Sequence, residues 1–142
     1  MKKLYFILGA SFLTMTSCQS TQNSDNQSTQ KLTEEAIRIH DEIMPQIGNF
    51  DRTTVKIDSI LDNLAALHAT TPTLDTAVIK ADLTTLKSNL ESATDNMMTW
   101  MKEYNPDSTD VAYQQAEIDK VTAMKKQFED VSVESNKKLS SF

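Results

Sequence analysis

The sequence predicts an all-α fold: an elongated antiparallel three-helix bundle running up, down and up, with its first helix kinked near Pro45. Three observations carry that expectation. Apolar residues recur at alternating spacings of three and four through three long stretches. Few segments alternate with period two, and Gly48 is the only glycine after the first seventeen residues. Helices of roughly 30 to 36 residues joined by short turns make a rod of ~45–54 Å.

The first helix is expected to start at Thr33, a good N-cap, with Glu34 and Glu35 favourably placed in its first turn. Its stripe is Ala36, His40, Ile43, Ile47, Phe50, Thr54, Ile57, Leu61 and Leu64. Pro45 interrupts the hydrogen bonding without breaking that phase, which predicts a kink rather than a new direction. Thr71-Pro72-Thr73 reads as a turn and helix start. The second helix carries Ile79, Leu83, Leu86, Leu90, Ala93, Met97, Trp100 and Tyr104, and stops at Asn105-Pro106. Asp107, Ser108 and Asp110 offer caps for a third helix bearing Val111, Ile118, Val121, Met124, Phe128 and Val131, which frays into a polar end.

The segment before this body reads as targeting. Lys2 and Lys3 precede a short apolar run, Leu4 to Leu13, about half of the roughly 20 residues a spanning helix needs. Thr16 and Ser17 are small and Cys18 follows, which resembles a lipobox, with Met15 at the usual aliphatic position. Residues 1–17 are thus expected to be a signal peptide and Cys18 to be lipidated. Residues 18–32 form a disordered polar tether, since 19–30 hold no hydrophobic residue, and 33–142 form the bundle.

Cys18 is the chain's one cysteine, so no intrachain disulfide and no Cys-ligated zinc or iron–sulfur site is available to the body. The precursor's 14 Lys and Arg, less Lys2 and Lys3, leave 12 against 20 Asp and Glu, a formal charge of −8. Such a surface disfavours nucleic acid and anionic headgroups. Lys120, Lys125, Lys126, Lys137 and Lys138, set among acids, read as a solvated helix face.

Enzyme motifs are missing: there is no glycine-rich phosphate loop, nucleophile elbow, His-Glu-x-x-His or Cys-x-x-Cys-His. One constellation stands out. His40 and Met44 share a face of the first helix, and Met97 and Met101 share one on the second, with Met98 and Trp100 beside them. A hairpin centred near residue 71 sets Met44 opposite Thr99 and His40 opposite Glu103, so the segments meet near the tether. Imidazole, thioethers and an indole together suit Cu(I) or Ag(I). The same residues also make sense as plain core, with methionine filling gaps beside a proline and His40 bonding a carbonyl freed by Pro45.

His40-Asp-Glu-Ile-Met-Pro-Gln-Ile-Gly48 and Met97-Met-Thr-Trp-Met101 resemble segments of small Bacteroidota-type lipoproteins that go under the label "viral A-type inclusion protein". Ala112-Tyr113, with Glu117 following, is similar too. The likeness covers most of the chain after Cys18. It implies helical, coiled-coil-like character and a lipid anchor, and brings no catalytic or binding residue with it. Gln19-Ser20-Thr21 lacks the acidic surface-export signal of such bacteria. The expectation is an outer-membrane lipoprotein facing the periplasm. Its body is non-catalytic, associates through its helices with a protein partner or itself, and needs no cofactor. The alternative is a Cu(I)/Ag(I) protein using His40, Met44, Met97, Met101 and Trp100.

Overall fold

The computed structural model describes residues 19–142, with side chains from residue 27 onward; the expected signal peptide and Cys18 lie outside them. The described residues are all-helical and contain no strand: α1 (Gln19–Asp62), α2 (Leu64–Thr70), α3 (Thr76–Glu103) and α4 (Val111–Lys138). Each of the three long helices packs against the other two.

Helix α1 has 44 residues, about 66 Å at 1.5 Å per residue. It begins well before Thr33, which corrects both the expected N-cap and the expected coil over residues 19–30. The polar run predicts a coil for want of apolar surface, yet extending an existing helix avoids the cost of nucleating one. The extension also docks. Thr29 is buried, Gln30 donates to Glu34 one turn on at 3.1 Å, and the Thr33 hydroxyl donates to the Pro106 carbonyl at 3.2 Å. Thr33 therefore ties α1 to the α3–α4 connection instead of capping.

Ala36, Ile39, Ile43, Phe50, Ile57 and Ile60 form the buried face of α1. The helix runs through Pro45, which is exposed, so the missing N–H falls on the solvent side. At Asn63 the expected first helix divides. The Asn63 side chain donates to the Ser59 carbonyl at 2.7 Å and its backbone leaves the helical region at φ −99°, ψ 6°. A side-chain amide competing for a helical carbonyl is a standard reason for such a break. Helix α2 follows, with His68 in its last turn.

The cap of α3 is Asp75, not the Thr71-Pro72-Thr73 segment, which lies in the turn before it. Asp75 accepts from the backbone N–H groups of Ala77 and Val78 at 3.0 and 3.1 Å. Asp110 caps α4 in the same way through Ala112 and Tyr113, at 2.9 and 3.2 Å. Leu83, Leu86, Leu90, Ala93, Met97 and Trp100 are buried along α3, as their spacing predicts. On α4 the buried positions are Gln114, Glu117, Val121, Phe128, Val131 and Ser135.

Phe50 and Phe128 stack at 4.7 Å in the middle of the core. Polar pairs set the register around it. On α3 and α4, falling numbers meet rising ones: Asn96 with Gln127 at 3.0 Å, Asn89 with Glu134 at 3.1 Å, Asp82 with Lys138 at 3.2 Å. Helix α1 meets α3 at Asp58–Lys87, 2.6 Å, and α4 at Glu42–Lys125, also 2.6 Å. These pairs, exposed or partly exposed, orient the helices more than they stabilise them.

Candidate functional site

One end of the bundle, where α1 passes the α3–α4 connection, concentrates polar and aromatic groups in the core. Helix α4 explains why. Its inward seam runs 114, 117, 121, 124, 128, 131, 135, a regular three–four alternation in which the first two positions are Gln114 and Glu117. Neither polar side chain leaves the seam, so each must find partners inside.

Gln114 is fully buried. Its carboxamide nitrogen donates to the carbonyls of Asn105 and Ser108 at 3.2 and 3.1 Å, with Pro106 at a longer 3.4 Å. Its oxygen accepts from the Tyr104 hydroxyl at 2.8 Å. The Tyr113 hydroxyl accepts from the Asn105 backbone N–H at 2.8 Å. One amide thus stitches the whole α3–α4 connection. Burial, its main cause, pushes the Tyr104 phenol above its ordinary value of 10.0.

Glu117 is 4% exposed. One carboxylate oxygen accepts from Trp100 Nε1 at 2.8 Å and the other receives Lys120 at 2.7 Å. The hydrogen bond to Glu117 raises the Lys120 ammonium above its usual value. Trp100 stacks on Tyr104 at 4.6 Å between ring centroids, and Tyr104 faces Tyr113 at 6.5 Å. Beside this network an open groove of about 670 Å³ lies between α3 and α4, lined by Thr99, Glu103, Tyr113, Lys120 and Met124 among others.

His40 approaches Trp100 from α1, with ring centroids 5.8 Å apart and planes at 33°. Its Nδ1 lies 3.0 Å from the Asp41 carboxylate, and its side chain is 17% exposed. Nε2 is different: among the described residues it is the one buried side-chain nitrogen or oxygen with no hydrogen-bond partner. Leaving such a group unpaired costs ~1–3 kcal/mol. The carbonyl freed by Pro45, an expected partner for this ring, is not bonded to it.

The other sequence-predicted site residues separate. Met97 is fully buried, Met44 packs against the core cluster, and Met101 is 41% exposed. Met98 is exposed as well. The structure therefore brings His40 to Trp100, with Met44 and Met97 in the adjoining core, and leaves Met101 at the surface. In detail His40 meets Trp100, three residues from the Glu103 expected opposite it, while Asp58 meets Lys87, within two residues of the expected level. Cys18 lies outside the described residues. Gln114 and Glu117 escaped the sequence reading of chemistry because they are polar, although their seam spacing was the signal that finds them. Among the described residues no three His, Cys, Asp or Glu side chains gather as a metal cluster.

No family model, curated protein or solved structure matches this chain.

Proposed function

We propose that this chain is an envelope lipoprotein, anchored through Cys18 and facing the periplasm from the outer membrane. Its body is a non-catalytic interaction module. In this reading α1, α3 and α4 form an up-down-up rod bent near Pro45, with α2 closing the first turn. The observation that carries the non-catalytic role is how the buried polar groups are spent. Gln114, Glu117, Trp100 and Tyr104 all bond one another, Lys120 or the α3–α4 connection. Groups so engaged build a rigid end rather than wait for substrate.

The anchor rests on the basic and apolar residues that precede Cys18. Each acyl methylene buried in a bilayer contributes ~0.8 kcal/mol, so two or three chains hold a protein firmly where one does not. What remains for association is the helical exterior, an acidic surface unsuited to nucleic acid, and the α3–α4 groove. The partner is a protein helix or a second copy of the chain. Fractionation of cells carrying Cys18→Ala is the test of anchoring: the variant leaves the membrane or stays unprocessed. Wild-type protein that is itself soluble, with no lipid mass on its N-terminal peptide, ends this reading. Light scattering and cross-linking in the intact envelope then separate self-association from a second protein.

A further inference from the structure

We infer that His40 Nε2, with the thioethers of Met44 and Met97, is a binding site for one monovalent soft cation, Cu(I) or its probe Ag(I). The inference stands apart from the lipoprotein reading and goes beyond it.

Four observations converge on this place. The Asp41 carboxylate, 3.0 Å from Nδ1, favours the proton on that nitrogen and leaves Nε2 as a bare lone pair. A carboxylate orienting the far nitrogen of an imidazole is the usual outer support of a metal-ligating histidine. Second, that lone pair is buried and unpartnered. The indole N–H of Trp100, whose ring is the one facing His40, is committed to Glu117 at 2.8 Å.

Third, the register supplies sulfur. The His40–Trp100 contact sets the level at which α1 and α3 meet. Asp58 with Lys87, further along, shows that the residues of α1 rise as those of α3 fall. One turn beyond His40 is Met44, and one turn before Trp100 is Met97, so the two methionines share the next level. Met44 packs on the core and Met97 is fully within it. Fourth, the set of one imidazole and two thioethers is neutral and soft. It suits a cation of charge +1 in a low-dielectric interior, where a divalent ion would call for carboxylates. The indole face of Trp100 adds a further attraction for a cation. Met101, at the surface, stands outside the set.

The test uses the full-length chain carrying Cys18→Ser, so that no thiol competes for silver, purified in detergent. Ag(I) is expected to bind at about one equivalent, to quench Trp100, the chain's single tryptophan, and to move the His40 Nε2 resonance in a ¹⁵N spectrum. His40→Phe abolishes these responses. Met44→Leu, nearly equal in volume, weakens binding with helix content unchanged. Asp41→Ala, at an exposed position, weakens it by ~10-fold through loss of the imidazole's orientation. Met101→Leu leaves the affinity unchanged. A flat titration of folded protein overturns the proposal, as does undiminished binding in His40→Phe. Should His40→Phe not fold, Asp41→Ala and Met44→Leu decide, and wild-type affinity in both refutes the site. None of these outcomes touches membrane anchoring, which is read from fractionation alone.

Discussion

The two ends of this bundle are built from the same three helices and held by different forces. From the middle of the core toward the α2 end, Phe50, Ile57, Leu83, Leu86, Leu90 and Phe128 are buried and carry no side-chain hydrogen-bonding group. At the other, Gln114, Glu117, Trp100 and Tyr104 occupy equivalent inward positions and are joined by directed bonds. Burial of apolar area is non-directional and tolerates sliding. A buried amide bonded to the carbonyls of one connection tolerates none, because any other register leaves it unpaired. The apolar half therefore supplies most of the stability, while the polar half selects one arrangement of the helices.

Deleting a large side chain from the apolar half gives the largest expected effect. Phe128→Ala removes a fully buried ring stacked on Phe50. It should cost ~3–5 kcal/mol in urea unfolding. A loss below about 1 kcal/mol would show that this half is not the main source of stability.

The polar half comes next, and its response depends on what replaces the acid. Glu117→Leu strands the indole N–H of Trp100 and should cost ~1–3 kcal/mol. Glu117→Gln retains an acceptor at that point and should cost less. Equal losses for the two would mean that packing, not hydrogen bonding, governs this end. Loss of order around the α3–α4 connection, read by hydrogen exchange at Asn105 to Asp110, should accompany Gln114→Leu and be absent in Phe128→Ala measured well below its melting temperature.

Capping acts on both halves alike and more weakly. Asp75→Ala and Asp110→Ala each remove a carboxylate that accepts from two backbone N–H groups. Each should cost ~1 kcal/mol, and the two should add, because they cap different helices. A coupling of more than about 0.5 kcal/mol in the double variant would contradict that independence.

The smallest effect is expected from surface charge. A hydrogen bond from Arg38 holds the Glu35 carboxyl below its ordinary value of 4.5, and one from Lys125 does the same for Glu42. Both pKa values are depressed on folding, so the stabilisation is present above the ordinary value and is lost as pH falls through the lowered ones. These groups are exposed, and salt screens them. The melting temperature should thus drop slightly on acidification at low salt, with a smaller drop at high salt for this contribution. Lys125→Met should leave the melting temperature at pH 7 almost unchanged.

The helices themselves were legible in the sequence, and α3 most of all, since Leu83, Leu86, Leu90, Ala93, Met97 and Trp100 keep one uninterrupted seam. That same seam holds the reason Met101 falls outside the cluster it was grouped with. After Met97 the inward positions step to Trp100 and Tyr104, so Met101 lies one residue, about 100°, past the face. Spacing of four from Met97 put the two on neighbouring tracks, but only packing decides which track is covered. Glu117 and Gln114 were harder, because a charge or amide in a helix is read as solvated until its seam position is counted.

By itself the sequence determined what local physics controls: three amphipathic helical stretches, a capping segment from Asp107 to Asp110, and an acidic body without thiols beyond Cys18. Tertiary structure decided how far α1 extends before Thr33 and which polar groups go inside. Contact with the α3–α4 connection holds Thr33 in α1, and Thr29 is buried one turn earlier despite its polar surroundings. The arrangement of three packed helices turns Glu117 toward Trp100 and leaves His40 Nε2 facing the interior unpaired. The physical reason is one of range. Periodicity and capping involve neighbours within a few residues, whereas burial and pairing depend on partners tens of residues away, which no single helix specifies.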